Sequence, residues 1–300
     1  MSKRLIIGVD AGGTKIRAGA VIKGGKILAS TKIPTETPRG RSVVLKNIVT
    51  SIRQVWSKDA RAIGIGIAGI VDHEKGIYRQ GPNFPATFKN VPLATLLRKT
   101  FKVPVTVDND VHCFTLAEAK FGAAKRFSTV VGLTLGTGIG GGIVIDGRLY
   151  RGRNNAAGEI GHMTIGFGSD AVCGCGRKGH FEAFGSGSAM AKLYRQRTGT
   201  ASDPIAIEKA ALKGDTAAKA TARLMSGAIA EGLANVVHIL NPDIIVVGGG
   251  LAAADLIWKP ALAGARSRII YPALRDTPIV RASLGADANV LGAALITDRL

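Results

Sequence analysis

Residues 133–182 read LTLGTGIGGGIVIDGRLYRGRNNAAGEIGHMTIGFGSDAVCGCGRKGHFE, and this stretch carries three features that point to chemistry. The glycine-rich turn LGTGIGGG at 135–142 can bind phosphate through its backbone N–H groups. Glu159 and His162 stand three residues apart, and a compact group of cysteines and a histidine follows with the spacing of a metal site. The stretch therefore predicts a phosphate-binding pocket beside a small metal-bound loop.

The first part of this stretch repeats a segment near the start of the chain. IIGVDAGGTKIRAGAVIKGG at 6–25 aligns with VVGLTLGTGIGGGIVIDG at 130–147 once one residue is deleted inside the turn. The alignment pairs Gly8 with Gly132, Gly12 with Gly136, Thr14 with Thr137 and Gly24 with Gly147. Each copy is a strand, a turn and a strand, so the chain is predicted to have a duplicated α/β fold whose two halves close on a cleft. A chance similarity between two glycine-rich hairpins is the alternative.

The residues around these hairpins predict further strands and helices. KILAST after the second turn adds a third antiparallel strand to the first hairpin. Apolar spacing predicts helices at about 42–57, near 92–101 and from about 216 to 240, the last one ended by Asn241-Pro242. Strands are predicted in AIGIGIAG, VPVTVDND and DIIVVGGG, and GADANVLGAALI is predicted to form a closing helix.

The composition is that of a globular chain. With 300 residues, 46% of them hydrophobic, the chain can bury enough core for two domains. No apolar run is long enough to span a membrane and no signal-peptide pattern opens the chain, which predicts a cytoplasmic protein with no membrane partner. Three cysteines, two of them in one C-x-C, favour metal binding over disulfides.

The chain is also strongly basic. A formal charge of +19 would attract polyanions such as nucleotides, polyphosphate or nucleic acid. The basic residues are spread along the chain rather than gathered in a tail, so a solvated basic surface is the simpler interpretation. No specific nucleic acid is therefore expected as a partner.

Two other phosphate motifs compete with the hairpin interpretation. Residues 136–141 also satisfy G-x-G-x-x-G, the dinucleotide-binding fingerprint. That fingerprint requires a helix after the glycines, whereas IVIDGRLY is β-branched, alternates and contains an Asp-Gly turn. Since the sequence has no G-x-x-x-x-G-K-[ST] either, neither a Rossmann site nor a P-loop is expected.

Seven motifs, taken in order, resemble the ROK family of sugar kinases and are most similar to its glucokinases. They are DAGGTK at 10–15, GPNFP at 81–85, DND at 108–110, LGTGIGGG at 135–142, GEIGH at 158–162, CGCGRKGHFEA at 173–183 and NPDIIVVGGG at 241–250. The resemblance implies the two-domain ribonuclease H-like fold shared by actin, hexokinase and Hsp70. It implies a smaller domain at 1–109, completed by a C-terminal helix at about 289–300, and a larger domain at 110–288 with a zinc loop.

The resemblance also implies ATP-dependent transfer of a phosphoryl group to the 6-hydroxyl of a hexose. Such a transfer needs backbone N–H groups and Mg²⁺ to hold the phosphates, and a carboxylate that accepts the hydroxyl proton. Asp110 is implied as this base, and its alternative role is the N-cap of the helix that follows. Asp10, at the end of the first strand, is expected to orient Mg²⁺ or its waters.

Binding residues are implied by the same resemblance. Those for the sugar are Asn83, Asn109, Asp110, Glu159, His162 and Glu182. Those for ATP and its phosphates are Asp10, Gly12, Gly13, Thr14, Lys15, Thr137, Gly138, Gly248 and Gly249. An ordinary loop or capping role is the alternative for each sugar residue. Cys113 is expected in the core, and His73, His112 and His238 are expected to have no catalytic part.

The metal motif departs from the family's pattern at one position. The family has C-x-C-G-x-x-G-C-x-E, and this chain has His180 where the third cysteine would stand. Histidine is also a zinc ligand, so His162, Cys173, Cys175 and His180 are predicted to hold one structural Zn²⁺. A cluster without zinc, in which His180 is merely solvated, is the alternative.

Three classes of function are compatible with the resemblance. The first is a glucokinase that uses ATP and D-glucose. The second is a kinase for N-acetylmannosamine, N-acetylglucosamine or fructose, or one that uses polyphosphate in place of ATP. The third, least favoured, is a sugar-responsive transcriptional repressor, which would need a helix-turn-helix segment ahead of Asp10. A homodimer or homotetramer is expected from the family.

Overall fold

The computed structural model describes residues 4–166 and 168–298, which form an α/β structure. Its strands are β1 (Leu5–Ala11), β2 (Lys15–Ile22), β3 (Lys26–Pro34), β4 (Ala60–Ile67), β5 (Ile70–Asp72), β6 (Ile77–Gln80), β7 (Val105–Asn109), β8 (Thr129–Leu135), β9 (Ile139–Ile145), β10 (Arg148–Leu149), β11 (Ile244–Gly248) and β12 (Ile279–Arg281). Its helices are α1 (Arg41–Gln54), α2 (Leu93–Phe101), α3 (Asp110–Lys120), α4 (Glu182–Gly185), α5 (Gly187–Thr198), α6 (Pro204–Leu212), α7 (Thr216–Leu240), α8 (Gly250–Ala253), α9 (Asp255–Arg268), α10 (Pro272–Arg275) and α11 (Ala288–Leu295). In this described part of the chain, no helix combines the length and the apolar character that crossing a membrane requires.

The first sheet contains the predicted antiparallel meander of β1, β2 and β3. Its order is β3-β2-β1-β4-β7, and β4 and β7 join the meander in parallel. Asp10 on β1 pairs with Gly66 on β4, which in turn pairs with Asp108 on β7. Since parallel strands end at one edge of a sheet, Asp10 and Asp110 both lie at the carboxyl edge of this sheet.

The second sheet repeats the first. Its order is β10-β9-β8-β11-β12, with β10 antiparallel to β9 and with β11 parallel to both β8 and β12. The turns correspond as well, because Gly12 N donates to Lys15 O at 3.1 Å and Gly136 N donates to Gly138 O at 3.0 Å. The span closed by this hydrogen bond is one residue shorter in the second turn, as the aligned sequences require. The predicted duplication is confirmed, and the strand after the glycines excludes the dinucleotide motif.

The chain divides into two compact units. The first contains Met1–Arg126, Gly142–Ala157 and Ser283–Leu300, and the second contains Phe127–Gly141 and Gly158–Ala282. This division differs from the boundary predicted at 109/110, because α3 packs against α11 within the first unit. A Cβ on Gly292 would lie 1.8 Å from the backbone O of Cys113, so the two helices touch through their backbones. Residues 299–300 of the predicted C-terminal helix lie outside the described residues.

The same helix, α11, contacts the first sheet at two glycines. A Cβ on Gly8 of β1 would lie 2.0 Å from Val290 O, and one on Gly64 of β4 would lie 1.6 Å from Ala293 O. Side chains cannot approach a backbone so closely, and glycine is therefore required where the helix crosses the strands. This contact brings the first turn of α11 to the edge of the sheet at which Asp10 lies.

Candidate active site

The first turn predicted to bind phosphate, at residues 12–14, lies between β1 and β2. Thr35 supports it from the side, since its Oγ1 donates to Gly12 O at 2.6 Å and its backbone N donates to Thr14 O at 3.0 Å. Thr37 Oγ1 donates to Gly13 O at 3.2 Å. These bonds occupy carbonyl oxygens, whereas the N–H groups of Gly13 and Thr14 donate to no group that the structure describes. The turn can therefore present N–H groups to an anionic ligand.

Asn83, from the GPNFP loop, packs directly on this turn. A Cβ on Gly13 would lie 2.6 Å from the Cβ of Asn83 and 2.7 Å from its backbone O, so only glycine fits at position 13. The loop is anchored by Phe84 and Phe88, whose stacked rings have centroids 5.2 Å apart, and both contact the fully buried Tyr78. This aromatic anchor leaves Asn83 exposed beside the predicted phosphate turn.

Asp10 is half-buried near the end of β1. Asn289, in the first turn of α11, donates from Nδ2 to Asp10 Oδ1 at 3.1 Å. Burial raises the pKa of Asp10, and the hydrogen bond from Asn289 opposes that rise. Asn289 therefore holds the carboxylate in one direction, a contact that sequence spacing could not reveal across 279 residues.

Asp110 is the first residue of α3, and Asn109 is the N-cap of that helix. Asn109 Oδ1 accepts hydrogen bonds from the N–H groups of Val111 at 2.7 Å and His112 at 3.2 Å. Its Nδ2 donates to Gly69 O at 3.0 Å. The capping role that was the alternative for Asp110 is thus filled by Asn109.

The surroundings of Asp110 suit a proton acceptor. Burial, and then the nearby charge of Asp10, raise the pKa of Asp110 to about 7. Its Oδ1 accepts a hydrogen bond from Val111 N at 3.0 Å, and within the described residues Oδ2 has no hydrogen-bond partner. A carboxylate with a pKa near neutrality and one free oxygen meets the requirements of a general base at pH 7.

Asp108 is completely buried and is surrounded by donors. Its carboxylate faces Arg151 Nε at 2.8 Å, His112 Nδ1 at 2.9 Å, His73 Nδ1 at 3.2 Å and Asn155 Nδ2 at 3.2 Å. Burial alone would raise the pKa of Asp108, but the hydrogen bonds from His112 and His73 and the charges of His112 and Arg151 lower it well below its usual value. The ionised carboxylate ties the segment after β10 to the end of β7.

The predicted phosphate residues of the second unit lie together at the carboxyl ends of β8 and β11. They are Thr137, Gly138, Gly248 and Gly249. Gly249 packs on the end of β8, since a Cβ there would lie 2.4 Å from Leu135 O, and its φ of 91° also favours glycine. The start of α5 supports the turn, because Gly187 N donates to Gly136 O at 2.7 Å.

Glu182 connects this turn with the cysteines. Its Oε2 accepts a hydrogen bond from Ile139 N at 2.9 Å, and its Oε1 accepts one from Cys173 Sγ at 3.2 Å. A Cβ on Gly138 would lie 2.5 Å from Oε2, so the carboxylate rests directly on the turn. Both oxygens of this predicted sugar ligand therefore already have a donor.

Glu159 is the N-cap of a short 3₁₀ turn, Ile160–His162, and His162 is the last residue of that turn. His162 Nε2 lies 3.7 Å from Glu159 Oε2, and His162 Nδ1 lies 3.6 Å from Cys173 Sγ. The two ring nitrogens thus face different groups. One imidazole can hold a metal through Nδ1 and still contact a polar ligand through Nε2.

The four predicted metal ligands converge. The ligand atoms of His162, Cys173, Cys175 and His180 all lie within 4.8 Å of one another. Burial, followed by the neighbouring His162 and Arg177, lowers the pKa of His180, which keeps its ring neutral as metal binding requires. Burial, with the carboxylate of Glu182 adding to it, raises the pKa of the Cys173 thiol to about 12. Two sulfurs and two imidazole nitrogens so arranged fit Zn²⁺, whose charge would favour the thiolates.

Phe181 anchors the loop that carries this cluster. It stands between His180 and Glu182 and is fully buried. A Cβ on Gly232 of α7 would lie 2.4 Å from its ring, and Phe181 N donates to Met163 O at 2.8 Å. A predicted metal ligand, His180, and a predicted sugar ligand, Glu182, are therefore both adjacent to one fixed aromatic residue.

Sequence reasoning missed the residues that hold the predicted groups in place. Asp108 had a signal, since it is a second carboxylate in DND at the end of a buried strand and must be neutralised there. No sequence signal indicated Arg151, Asn155 or Asn289, because these residues lie far from their partners in the chain and outside any motif.

Known proteins similar to this chain were found by sequence and by structure. The ROK family model matches residues 6–299. A glucokinase of Thermotoga maritima is 34% identical over an alignment of 312 positions, which covers 99% of this chain and 98% of that relative. An N-acetyl-D-glucosamine kinase of Vibrio cholerae is 33% identical over an alignment of 303 positions, which covers 96% of this chain and 98% of that relative. A ROK family glucokinase from Streptomyces griseus, solved in complex with glucose and AMPPNP, matches with a TM-score of 0.84 at 32% identity, covering 97% of this chain and 98% of that one.

Proposed function

Since the chain belongs to the ROK family and is a sugar kinase, we propose that it transfers the γ-phosphoryl group of ATP to the 6-hydroxyl of D-glucose. The 6-oxygen forms a bond to the γ-phosphorus, and the bond from that phosphorus to the bridging oxygen of ADP breaks. The proton of the hydroxyl passes to Asp110. The products are glucose 6-phosphate and ADP.

The setting of Asp110 carries this proposal. A pKa of about 7 leaves roughly half of these carboxyl groups ionised at neutral pH, and the ionised form is basic enough to accept a hydroxyl proton as the phosphoryl group arrives. The free Oδ2 is the acceptor atom, while Val111 N holds Oδ1 in place. A side chain that only capped the helix would have its oxygen occupied by backbone N–H groups, as Asn109 Oδ1 is.

The two glycine turns would hold the nucleotide. Gly12, Gly13, Thr14 and Lys15 in the first copy, and Thr137, Gly138, Gly248 and Gly249 in the second, are the residues proposed to contact ATP. Bound Mg²⁺ would neutralise charge on the phosphates. Asp10, fixed by Asn289, would orient the ion or its waters.

Hydroxyl recognition is assigned to Asn83, Asn109, Glu159, His162 and Glu182. For Asn109 the contribution is limited, because its Oδ1 caps α3 and only one hydrogen of its amide nitrogen remains after the bond to Gly69. Glu159 is exposed and His162 Nε2 lies close to it, which favours a hydroxyl bound between the carboxylate and the ring.

A structural Zn²⁺ belongs to the proposal, held by His162, Cys173, Cys175 and His180. As a thiolate, Cys173 could no longer donate to Glu182 Oε1. That oxygen would then be free to accept a hydrogen bond from a sugar hydroxyl. Zinc would in this way prepare a sugar contact as well as tether the loop.

One assay tests the proposal. ADP release would be measured with glucose, N-acetylglucosamine, N-acetylmannosamine and fructose, with 6-deoxyglucose as the matched compound that lacks the accepting hydroxyl. We expect the highest kcat/KM with glucose and no turnover of 6-deoxyglucose. Turnover of none of the four sugars would contradict the proposal.

N-Acetylglucosamine is the second candidate phosphoryl acceptor, and polyphosphate is the second candidate donor. The Vibrio cholerae relative is an N-acetyl-D-glucosamine kinase, and a higher kcat/KM with that sugar would replace glucose in the proposal. The charge of +19 favours polyanions, so glucose 6-phosphate formation would be measured with polyphosphate beside ATP. The proposed homodimer or homotetramer would be checked by light scattering.

A further inference from the structure

His112 has both ring nitrogens directed at acceptors. Its Nδ1 lies 2.9 Å from Asp108 Oδ1, and its Nε2 lies 3.0 Å from the backbone O of Ala157. A carboxylate that is ionised and a carbonyl oxygen can only accept hydrogen bonds. Both ring nitrogens must therefore carry a proton, and the buried imidazole is a cation.

The segment from Arg151 to Ala157 depends on this corner of the molecule. Arg151 and Asn155 also bind Asp108, and Ala157 N closes the segment on Arg151 O at 3.1 Å. Asn155 is strained, since its φ is 58° and its buried Oδ1 has no hydrogen-bond partner within the described residues. The contacts with Asp108 and His112 must offset this strain.

We propose that His112 is a positioning residue for the phosphoryl transfer, in which its doubly protonated ring clamps Ala157 O to the Asp108 carboxylate and so fixes the segment 151–157. The inference rests on the proposed function, because Ala157 stands two residues before Glu159, a proposed sugar ligand. Loss of the clamp frees the segment that leads to that carboxylate. The sugar KM then rises, while the chemistry at Asp110 is little changed.

The hydrogen bonds of the His112 ring depend on pH. The charged groups that face the ring are Asp108 on β7 and Arg151 after β10, with Asp110 two residues earlier on the same helix and His73 on the far side of Asp108. Burial would lower the pKa of His112, but the hydrogen bond and charge of Asp108 and the carbonyl of Ala157 raise it above its usual value. The clamp is therefore closed at low pH. As pH rises through that raised pKa, the Nε2 proton is lost, because the ionised Asp108 retains the proton on Nδ1, and the hydrogen bond to Ala157 O opens.

A matched pair of variants tests the clamp at constant pH. In His112→Asn, the shorter amide can reach Asp108 in place of Nδ1 but cannot reach Ala157, whereas His112→Gln can still donate to Ala157 O in place of Nε2. We expect hydrogen–deuterium exchange over residues 151–157 to rise about tenfold or more in His112→Asn, as loss of a buried charged hydrogen bond implies. His112→Gln should stay within about threefold of wild type.

The sugar KM should follow the exchange, rising about tenfold in His112→Asn with kcat within about threefold of wild type. Equal protection in His112→Asn and wild type would overturn the proposal, as would exchange in His112→Gln as fast as in His112→Asn. A ¹⁵N spectrum that shows a neutral His112 ring in wild type at pH 6.5 would overturn it too, whatever the variants do.

These readouts separate the clamp from the proposed function. If wild type phosphorylates none of the sugars but the exchange and ring protonation are as expected, the clamp stands and the sugar-kinase assignment of the site fails. If wild type phosphorylates glucose and the segment is unaffected in His112→Asn, the function stands and the clamp fails.

Discussion

Glu182 Oε2 accepts a hydrogen bond from the backbone N of Ile139 at 2.9 Å, so the carboxylate after the proposed metal loop is bound to the turn that is proposed to hold phosphate. The other oxygen, Oε1, faces Cys173 Sγ at 3.2 Å. A movement of the proposed metal loop would therefore be transmitted to the turn through the Glu182 side chain. Nucleotide affinity and sugar affinity should both respond when this contact is disturbed.

Gly138→Ala disturbs that contact with the smallest possible change. The added Cβ would lie 2.5 Å from Glu182 Oε2, closer than a methyl group allows, so the carboxylate must move. We expect the sugar KM to rise about tenfold, because the shift costs Glu182 about one charged hydrogen bond. Gly136→Ala is the control, because the nearest atom to its Cβ is 4.0 Å away. Equal KM values for the two variants would show that Glu182 does not bind sugar.

Asp110→Asn tests the general base. The amide keeps the shape of the carboxylate but cannot accept the proton, so kcat should fall by about 10²–10⁴. Sugar affinity, measured by calorimetry, should stay within about threefold of wild type, since shape and most contacts remain. A variant that keeps more than about a tenth of wild-type kcat would place the base elsewhere.

The pH dependence of turnover follows from the same carboxylate. Asp110 is active when ionised and its pKa is raised to about 7, so kcat/KM should fall about tenfold per pH unit below 7 and level off above it. The charge of Asp10 is the second cause of the raised pKa, after burial. In Asp10→Asn the midpoint should therefore move to lower pH, even though the overall rate falls. A midpoint that stays in place would mean that burial alone raises this pKa.

The free energy of unfolding should fall as pH rises, whereas activity should increase. Asp110 has a pKa near 4 in the unfolded chain and about 7 in the folded one. Its contribution to stability is therefore complete below about pH 4 and is lost as pH rises to about 7. Asp110→Asn stays neutral and avoids that loss. The variant should be more stable than wild type by roughly 1–3 kcal/mol at pH 8 and nearly equal to it at pH 4, as measured by urea unfolding. Equal stability at both pH values would contradict the raised pKa.

The sequence was sufficient to predict those parts of the fold that depend on local patterns. The hairpins, the helix that ends before Pro242 and the duplication follow from alternation, proline chemistry and repeated glycine spacing. The division into units does not follow, because the sequence around α3 marks the start of a helix but not the surface on which it packs. That surface is determined by Gly292 in α11, far away in the chain.

The candidate site shows the same contrast. Asp110 could be named as the candidate base from its place at the end of a buried strand and from the family resemblance. The structure gives the capping role to Asn109, and the catalytic role of Asp110 stays a prediction. The cation on His112 could not be predicted, because it requires Asp108 and Ala157 on opposite sides of one ring. Burial and partner atoms determine that charge, and neither can be obtained from residue spacing.

The last prediction concerns the metal, for which the structure supplies four converging ligand atoms and the sequence supplies an unusual His180. Wild-type protein should hold about one Zn²⁺ per chain, because two cysteines and two histidines complete a tetrahedral set. His180→Cys should keep the metal and His180→Ala should lose it, as measured by elemental analysis of protein purified without chelator. Without the metal, Cys173 is again a thiol that donates a hydrogen bond to Glu182 Oε1 and occupies that oxygen. The sugar KM of His180→Ala should therefore rise about tenfold, while that of His180→Cys stays near wild type. Absence of zinc from wild type, together with full activity after strong chelation, would reduce the cluster to a packing contact around Phe181.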